Sequence, residues 1–490
     1  MKIPTERITA ALTAAGLLVE ARGDLPTHVS AVEDDSRRVA QGNLFVAVRG
    51  SERDGHDYLD RARDAGATAV VIEDPKRATA LPSLVVRDAR KAVALVASVV
   101  HDWPVRRLRL TGVTGTNGKT TTVHVLRHLL DDTQRRAASI GTIGVLLGSE
   151  GQPLGDSGLT TPGPIELQRV LRSLVDAGVV HVAIEVSSHA LDQHRVDGVE
   201  FEAAIFTNLS RDHLDYHRTM EAYFEAKTRM LEYMAPHGTV IVNLDDPAWR
   251  ALRTERRRVS ISTRVPNAEV NAQDLEFTAT GSSWTLVIAG DRRSVELPLI
   301  GDFNVSNALG AAAAAFALGL PVDTIAERLA TVPQVPGRLE VVNENPTVLR
   351  DYAHTPDALE RALEAVRPFT RGRLIVVFGA GGDRDRGKRP EMGAIADRLA
   401  DYAIVTSDNP RTENPEVILH DIEKGLRNDT YNRERIEDRR EAIARALAIA
   451  ESNDVVLLAG KGHETYQVRG TEKLPFDEKL IVAELTRVRA

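Results

Sequence analysis

Cysteine is absent from all 490 residues. Its absence excludes a thioester mechanism, disulfide bonds and thiolate-held metals, and leaves oxygen and imidazole as the ligands of any metal site. Excess positive charge is missing too. The formal net charge is −8, which argues against a partner that presents a phosphate backbone, so no nucleic acid is expected. No apolar run approaches the length that crosses a bilayer, and no membrane insertion is expected. The early run AALTAAGLL follows Glu6 and Arg7 and leads into charged residues. That is the pattern of an amphipathic helix rather than a signal peptide, and a cytoplasmic location is expected. Fixed-period repeats and low-complexity tracts are also lacking. What remains is ordinary for a globular chain, 42% hydrophobic and 27% charged, and long enough for about three domains with proper cores.

The order of patterns along the chain predicts an α/β protein of three domains. Residues 1–88 form a small α/β docking domain, in which LFVAV is a short strand between the turn residues Gly42 and Gly50. Residues 89–336 form a central P-loop-type domain. Its segments VVHVAIEV, AAIFTNL and TVIVNL are apolar on both faces, as strands of a parallel sheet covered by helices must be. Its later stretch AEVNAQDLEFTATGSSWTLVIAG reads as an antiparallel subregion, before GDFNVSNALGAAAAAFALG returns to helix. Two prolines and a glycine in VPQVPGRLEVV interrupt the pattern and mark the next boundary. Residues 337–490 form a second, Rossmann-like α/β domain with strands RLIVVFG, YAIVTSD and VVLLAGKG. In TPDALERALEAV, Thr355 is the expected cap, Pro356 the first helical residue, and Leu359, Leu363 and Val366 share one face.

Within LTGVTGTNGKTTTVHVL, Leu110 to Leu126, an apolar strand runs into a glycine-rich turn and then a helix. Gly112, Gly115 and Gly118 allow a close backbone approach, helix-start amides point at an anion, Lys119 adds a point charge, and the Thr120 hydroxyl can ligate Mg²⁺. The commoner spacing needs glycine at 113, where this chain has Val113. A glycine-rich turn that binds nothing is the plain alternative; the strand before and the helix after favour ATP or a relative. Glu185 ends one apolar strand, and Asp212 and His213 follow another, so all three can converge on this loop as a Mg²⁺ site. Taken singly, Glu185 could pair with a cation and His213 could satisfy a loop carbonyl. Lys227, in EAYFEAKTRMLEYM, reads by default as a solvated helix lysine.

TGTNGKTTT, EVSSHALDQHRV, FTNLSRDHLDYH, EAYFEAKTRML, GDFNVSNALGA, VPGRLEVV, DYAHTPDALE, FGAGGDRDRGKRP, SDNPRTENP and AGKGHETYQ, in that order, together resemble the Mur ligases, and within them the branch that adds the third residue of the peptidoglycan stem peptide. The resemblance implies an ATP-dependent ligase that phosphorylates a carboxylate of UDP-N-acetylmuramoyl-L-alanyl-D-glutamate and lets a diamino acid attack the acyl phosphate. It implies ATP contacts from Gly115, Thr116, Asn117, Gly118, Lys119, Thr120 and Thr121, and from Asn304, Arg338 and Asp351. Thr120 and Glu185 would hold one Mg²⁺. His213 would share a second with Lys227, carbamylated by CO₂, since a carbamate is an oxygen anion where an ammonium would repel the metal. The UDP-linked dipeptide would meet Ser36, Ser51, Glu52 and Arg53 in the first domain and Thr160, Thr161, Ser187, Gln193 and Arg195 in the second. SER at 51–53 matches the family by position after the glycine rather than by residue type.

For the diamino acid the resemblance implies Arg389, Asp408, Asn409, Pro410, Arg411, Gly460 and Glu464. DNPR is the version associated with meso-diaminopimelate, whose second carboxylate a guanidinium can grip through two parallel bonds. L-Lysine or L-ornithine is the alternative substrate, and a polar turn the plain reading of that stretch. A folylpolyglutamate synthetase would share the phosphate loop but not SDNPR or GKGHE, and a P-loop ATPase switch would explain the first motif alone. A monomer is expected.

Overall fold

The computed structural model describes residues 2–50, 53–77, 80–155, 158–278, 280–426 and 432–487. Three sheets, each with its own core, follow one another along the chain. In the first, strands run in the order Leu18–Arg22, Ser83–Val86, Ala69–Ile72, Leu44–Val46 and Val32–Glu33, parallel except for the antiparallel edge at Leu18–Arg22. The helix Ala89–Val100 directly follows the boundary expected after residue 88. It lays Ala89, Val93, Val96 and Val100 into the same core as Ile8, Leu44 and Val71, so a division after residue 88 cuts through packed apolar surface.

The central sheet has eleven strands, and six of its pairings are parallel, from Arg136–Gly141 through Val179–Glu185, Arg109–Thr114, Phe201–Phe206, Met234–Asn243 and Arg257–Ser262 to the start of Val270–Thr278. Arg109–Thr114 sits in the middle, buried on both faces, which is why its sequence does not alternate. The strands Val270–Thr278, Gly281–Ile288 and Asp291–Leu297 extend the sheet as an antiparallel ribbon. The helix Asp302–Ala317 packs beside the helix Lys119–Leu130 over this sheet.

The third sheet runs Glu340–Glu344, Thr347–Asp351, Val455–Ala459, Leu374–Phe378, Tyr402–Val405 and Arg433–Arg435, parallel apart from its first strand. Val335 still belongs to the central core and Leu339 to the third. The helix Pro356–Val366 is capped by Thr355, whose Oγ1 accepts from the Ala358 amide at 3.3 Å, and it buries Leu359, Leu363 and Val366. After Val455–Ala459 the chain makes a hairpin, Tyr466–Arg469 with Glu472–Pro475, before the next helix. No described helix is long and apolar enough to cross a membrane.

Candidate active site

The strand Arg109–Thr114 ends at a turn whose glycines are required by geometry. Gly115 has φ +149° and Gly118 φ +85°, and a Cβ at either would strike the side chain of Thr207 or Asn307. Neighbouring strands shape the turn: Asn208 Oδ1 accepts from the Asn117 amide at 2.8 Å, and Thr207 Oγ1 donates to the Asn117 carbonyl at 2.7 Å. Lys119 folds back so that its Nζ donates to the carbonyls of Gly115 (2.9 Å) and Thr116 (2.7 Å). Burial lowers its pKa, opposed by the charge of Glu185.

Glu185 is buried at the end of its strand. Its Oε2 accepts from the hydroxyls of Thr120 and Thr142, each at 3.1 Å, and its Oε1 from the Thr142 amide at 2.8 Å. Sequence reasoning missed Thr142, which follows a strand in a segment without a recognised motif. His213 lies at φ +54°, its Nε2 3.4 Å from Asp212 Oδ2 and its ring 4.8 Å from that of His189. Burial lowers its pKa; Asp212 opposes that, and Lys119 and Lys227 reinforce it.

Lys227 is not a solvated lysine. The helix Met220–Thr228 turns Tyr223, Ala226 and Lys227 inward, leaving Lys227 only 1% exposed. Its Nζ donates to the Gly115 carbonyl at 2.7 Å and stands 4.4 Å from the Tyr223 ring centre. Burial, reinforced by the charge of Lys119, drives its pKa well below the usual lysine value. Among the described residues no three His, Asp or Glu side chains form a metal-binding group. A cation beside Thr120 and Glu185 therefore needs further oxygen ligands from a substrate, which suits Mg²⁺ and a polyphosphate.

A cavity of about 270 Å³ opens over the loop and is walled by two domains. Lys119, Thr120, Glu185, His213 and Asn307 line it from the central domain, and Arg338, Asp351, Tyr352 and His354 from the third. Arg338 Nη2 donates to Thr120 Oγ1 at 3.1 Å, and its guanidinium stacks 4.7 Å from the Tyr352 ring centre. Asp351 accepts from the Leu339 amide at 2.7 Å, and burial pushes its carboxyl up to about 6 against the pull of Arg338. Asn304 stands behind this wall: its Nδ2 donates to the Ile300 carbonyl and its Oδ1 accepts from Asn307. Asn307, one helical turn on, is the residue that reaches the cavity.

Thr160, Thr161, Ser187, Gln193 and Arg195 adjoin one another beside Glu185. Thr160 accepts from Thr142 at 3.2 Å, Thr161 donates to the Glu185 carbonyl at 2.8 Å, and the Ser187 amide donates to Thr161 at 3.0 Å. Arg195 donates to the Thr161 carbonyl at 3.1 Å and to Gln193 Oε1 at 2.7 Å. In the first domain Ser36 is buried and Arg53 exposed; Ser51 and Glu52 lie outside the described residues.

In the third domain Asp408, Asn409, Pro410 and Arg411 follow the strand Tyr402–Val405 and meet the loop carrying Gly460 and Glu464. Asn409 Nδ2 donates to Glu464 Oε2 at 2.9 Å. A Cβ at Gly460, where φ is +118°, would press on Asp408. Arg411, at φ +50°, donates to the Gly382 carbonyl at 2.7 Å. Arg389, expected here too, is engaged elsewhere. It is completely buried, and its guanidinium binds Glu413 through two bonds of 2.8 and 2.7 Å and Asp421 through one of 3.1 Å. Those carboxylates fix the loop; Arg384 and Arg386, earlier on that loop, are its exposed guanidinium groups.

Three family models match the chain: the Mur ligase family catalytic domain over residues 28–107, the Mur ligase middle domain over 113–315, and the Mur ligase glutamate ligase domain over 337–462. A Gloeobacter violaceus protein named UDP-N-acetylmuramoyl-L-alanyl-D-glutamate–2,6-diaminopimelate ligase is 43% identical over 482 residues, 97% of each chain. One of the same name from Geobacter metallireducens is 44% identical over 96% of each. A solved structure of such a ligase aligns over 100% of this chain and 99% of its own, with TM-score 0.69 and 32% identity. MurF from Acinetobacter baumannii shares the fold at TM-score 0.67 and 18% identity, covering 99% of both chains.

Proposed function

The chain belongs to the Mur ligase family, and from that premise we propose that it joins meso-2,6-diaminopimelate to UDP-N-acetylmuramoyl-L-alanyl-D-glutamate, as a monomer, in cytoplasmic peptidoglycan precursor synthesis. It is an ATP-dependent, amide-bond-forming ligase. The observation that carries the reading is the single cavity shared by Lys119 and Glu185 on one side and Arg338 and Asp351 on the other, flanked by the Thr161–Arg195 group and facing the domain that holds Asp408 and Arg411.

A carboxylate is a poor acyl donor because its leaving group would be oxide; transfer of the γ-phosphoryl group from ATP makes that leaving group phosphate. Gly115–Thr121 cradle the phosphates, with Lys119 countering charge on the β and γ groups. Asp351, Arg338 and Asn307 hold the nucleotide, Asn304 supporting Asn307 from behind. Thr160, Thr161, Ser187, Gln193 and Arg195 orient the dipeptide, and Ser36 and Arg53 meet its UDP end. The diamino acid amine then attacks the acyl carbon, the amide bond forms, and phosphate leaves with the bonding pair. No enzyme nucleophile is required, in keeping with the absence of cysteine. Closure between the domains keeps water from the acyl phosphate.

Thr120 and Glu185 supply oxygens suited to one Mg²⁺, and His213 with a carbamate on Lys227 would hold another; bound there, the ions neutralise charge on the phosphates and the developing oxyanion. Two features support the carbamate. Lys227 is sheltered from water, and burial lowers its pKa, which shifts the amine toward the neutral form that adds CO₂. At the far end Arg411 grips the second carboxylate of diaminopimelate, while Asp408, Asn409 and Glu464 receive its ammonium, with Pro410 and Gly460 shaping the turn.

The test is a panel of meso-diaminopimelate, L-lysine and L-ornithine with the UDP-linked dipeptide and ATP. Phosphate release should need both the dipeptide and an amino acid, with diaminopimelate strongly preferred and the preference lost in Arg411→Ala. Release without either substrate, or equal use of lysine by wild type, would overturn the assignment.

A further inference from the structure

Lys461 is wholly buried where the loop after Val455–Ala459 meets the loop after Tyr402–Val405. Its ammonium donates to Asn409 Oδ1 at 3.0 Å and to Glu464 Oε2 at 2.9 Å, and lies 3.6 Å from Asp408 Oδ1. Asn409 closes the group by donating to Glu464 and accepting from the Val468 amide at 2.9 Å. One cation thus gathers three side chains from two loops. Asp408 is 5% exposed, and its buried Oδ1 has no hydrogen-bond partner.

The formal charges here decide what the pocket can take. Asp408 and Glu464 carry two negative charges, and Lys461 and Arg411 two positive ones, so the four groups balance. A head group bearing both an ammonium and a carboxylate is neutral and preserves that balance. A lone ammonium adds a positive charge with no partner. Resting on the function proposed above, we infer that Lys461 is a positioning residue that sets the charge of the diamino acid pocket and makes it select a zwitterionic head group over a bare ammonium. It acts through Asn409, Glu464 and Asp408 and need not touch the substrate. Without its charge the remaining groups sum to one negative charge. That surplus suits the lysine side chain and leaves the diaminopimelate head unbalanced.

The experiment compares kcat/KM for meso-diaminopimelate and L-lysine in wild type, in Lys461→Met and in Lys461→Met/Glu464→Gln, with thermal melting of each. In Lys461→Met the preference for diaminopimelate should fall about tenfold or more, chiefly through a raised KM for diaminopimelate, while the KM for ATP changes little. The double variant restores the charge balance and should recover much of the preference even at a lower rate. A purely structural lysine would lower both rates together and leave their ratio alone. An unchanged ratio in Lys461→Met overturns the inference. If that variant does not fold, a double variant that favours lysine overturns it instead, and one that keeps the diaminopimelate preference supports it. Failure of wild type to use diaminopimelate would count against the proposed function; a selective wild type with an equally selective Met variant would count against Lys461 alone.

Discussion

One carboxylate of the third domain bonds across to the phosphate loop and its neighbour, and its removal makes a quantitative test of the contact between the two domains. Asp357 stands in the first turn of the helix Pro356–Val366. Its Oδ2 accepts from Asn117 Nδ2 at 2.8 Å and from Ser210 Oγ at 3.2 Å, both in the central domain. Its Oδ1 accepts from Arg361 at 3.1 Å within its own helix, so that bond is present whether the domains are open or closed and cancels from the comparison. A hydrogen bond to a charged group contributes about 1.5–3 kcal/mol when well shielded. Asp357 is about one-third exposed, and a discount for solvent leaves about 1 kcal/mol per bond. Loss of both in Asp357→Ala shifts the closed-to-open ratio by about 2 kcal/mol, roughly thirtyfold at 1.4 kcal/mol per tenfold. Because Arg338 and Tyr352 line the ATP cavity from the third domain, KM for ATP should rise by about ten- to thirtyfold. Fold stability should drop by less than about 1 kcal/mol, the worth of an acidic residue in a first helical turn. Asp357→Asn keeps an acceptor and should lose less. Steady-state kinetics with varied ATP, alongside small-angle scattering for compactness, measures both consequences. A KM within twofold of wild type and an unchanged scattering curve would refute the latch.

Lys227→Ala should lose most turnover, with partial recovery on adding a small carboxylate such as acetate; near wild-type turnover at limiting Mg²⁺ would remove the carbamate role. For Asp351, whose carboxyl sits near 6, kcat/KM for ATP should fall below about pH 6 as the anion is lost, and Asp351→Asn should flatten that limb. Its sign for stability is opposite: the retained proton favours folding fully below about pH 4, and that contribution disappears as the pH rises through 6, which urea unfolding against pH would measure. Arg389→Met should destabilise the substrate-free protein by about 1–3 kcal/mol, because Glu413 and Asp421 lose a buried partner while keeping Arg386 and Lys424; an unchanged melting temperature would return Arg389 to a ligand role.

Sequence alone settled what is written over a few neighbouring residues. The turn at Gly115 and Gly118 follows from local steric demands, the Thr355 cap and the face of Leu359, Leu363 and Val366 from helix periodicity, and parallel strands such as Leu374–Phe378 and Val455–Ala459 from unbroken apolar runs. The succession of motifs likewise carried the family. Tertiary structure alone decided where charged side chains point. Lys227 has the composition of a surface lysine and is buried because its helix turns that face toward the Gly115 carbonyl. Arg389 looks free until Glu413, 24 positions on, takes both arms of its guanidinium. Asp357 reaches Asn117 across 240 positions, and the helix Ala89–Val100, beyond the boundary expected after residue 88, packs into the first domain's core. A periodic pattern states that a face is apolar, but it does not name the surface that will cover it. For a charged group the identity of its partner fixes its role, and here that partner is brought from elsewhere in the chain by packing.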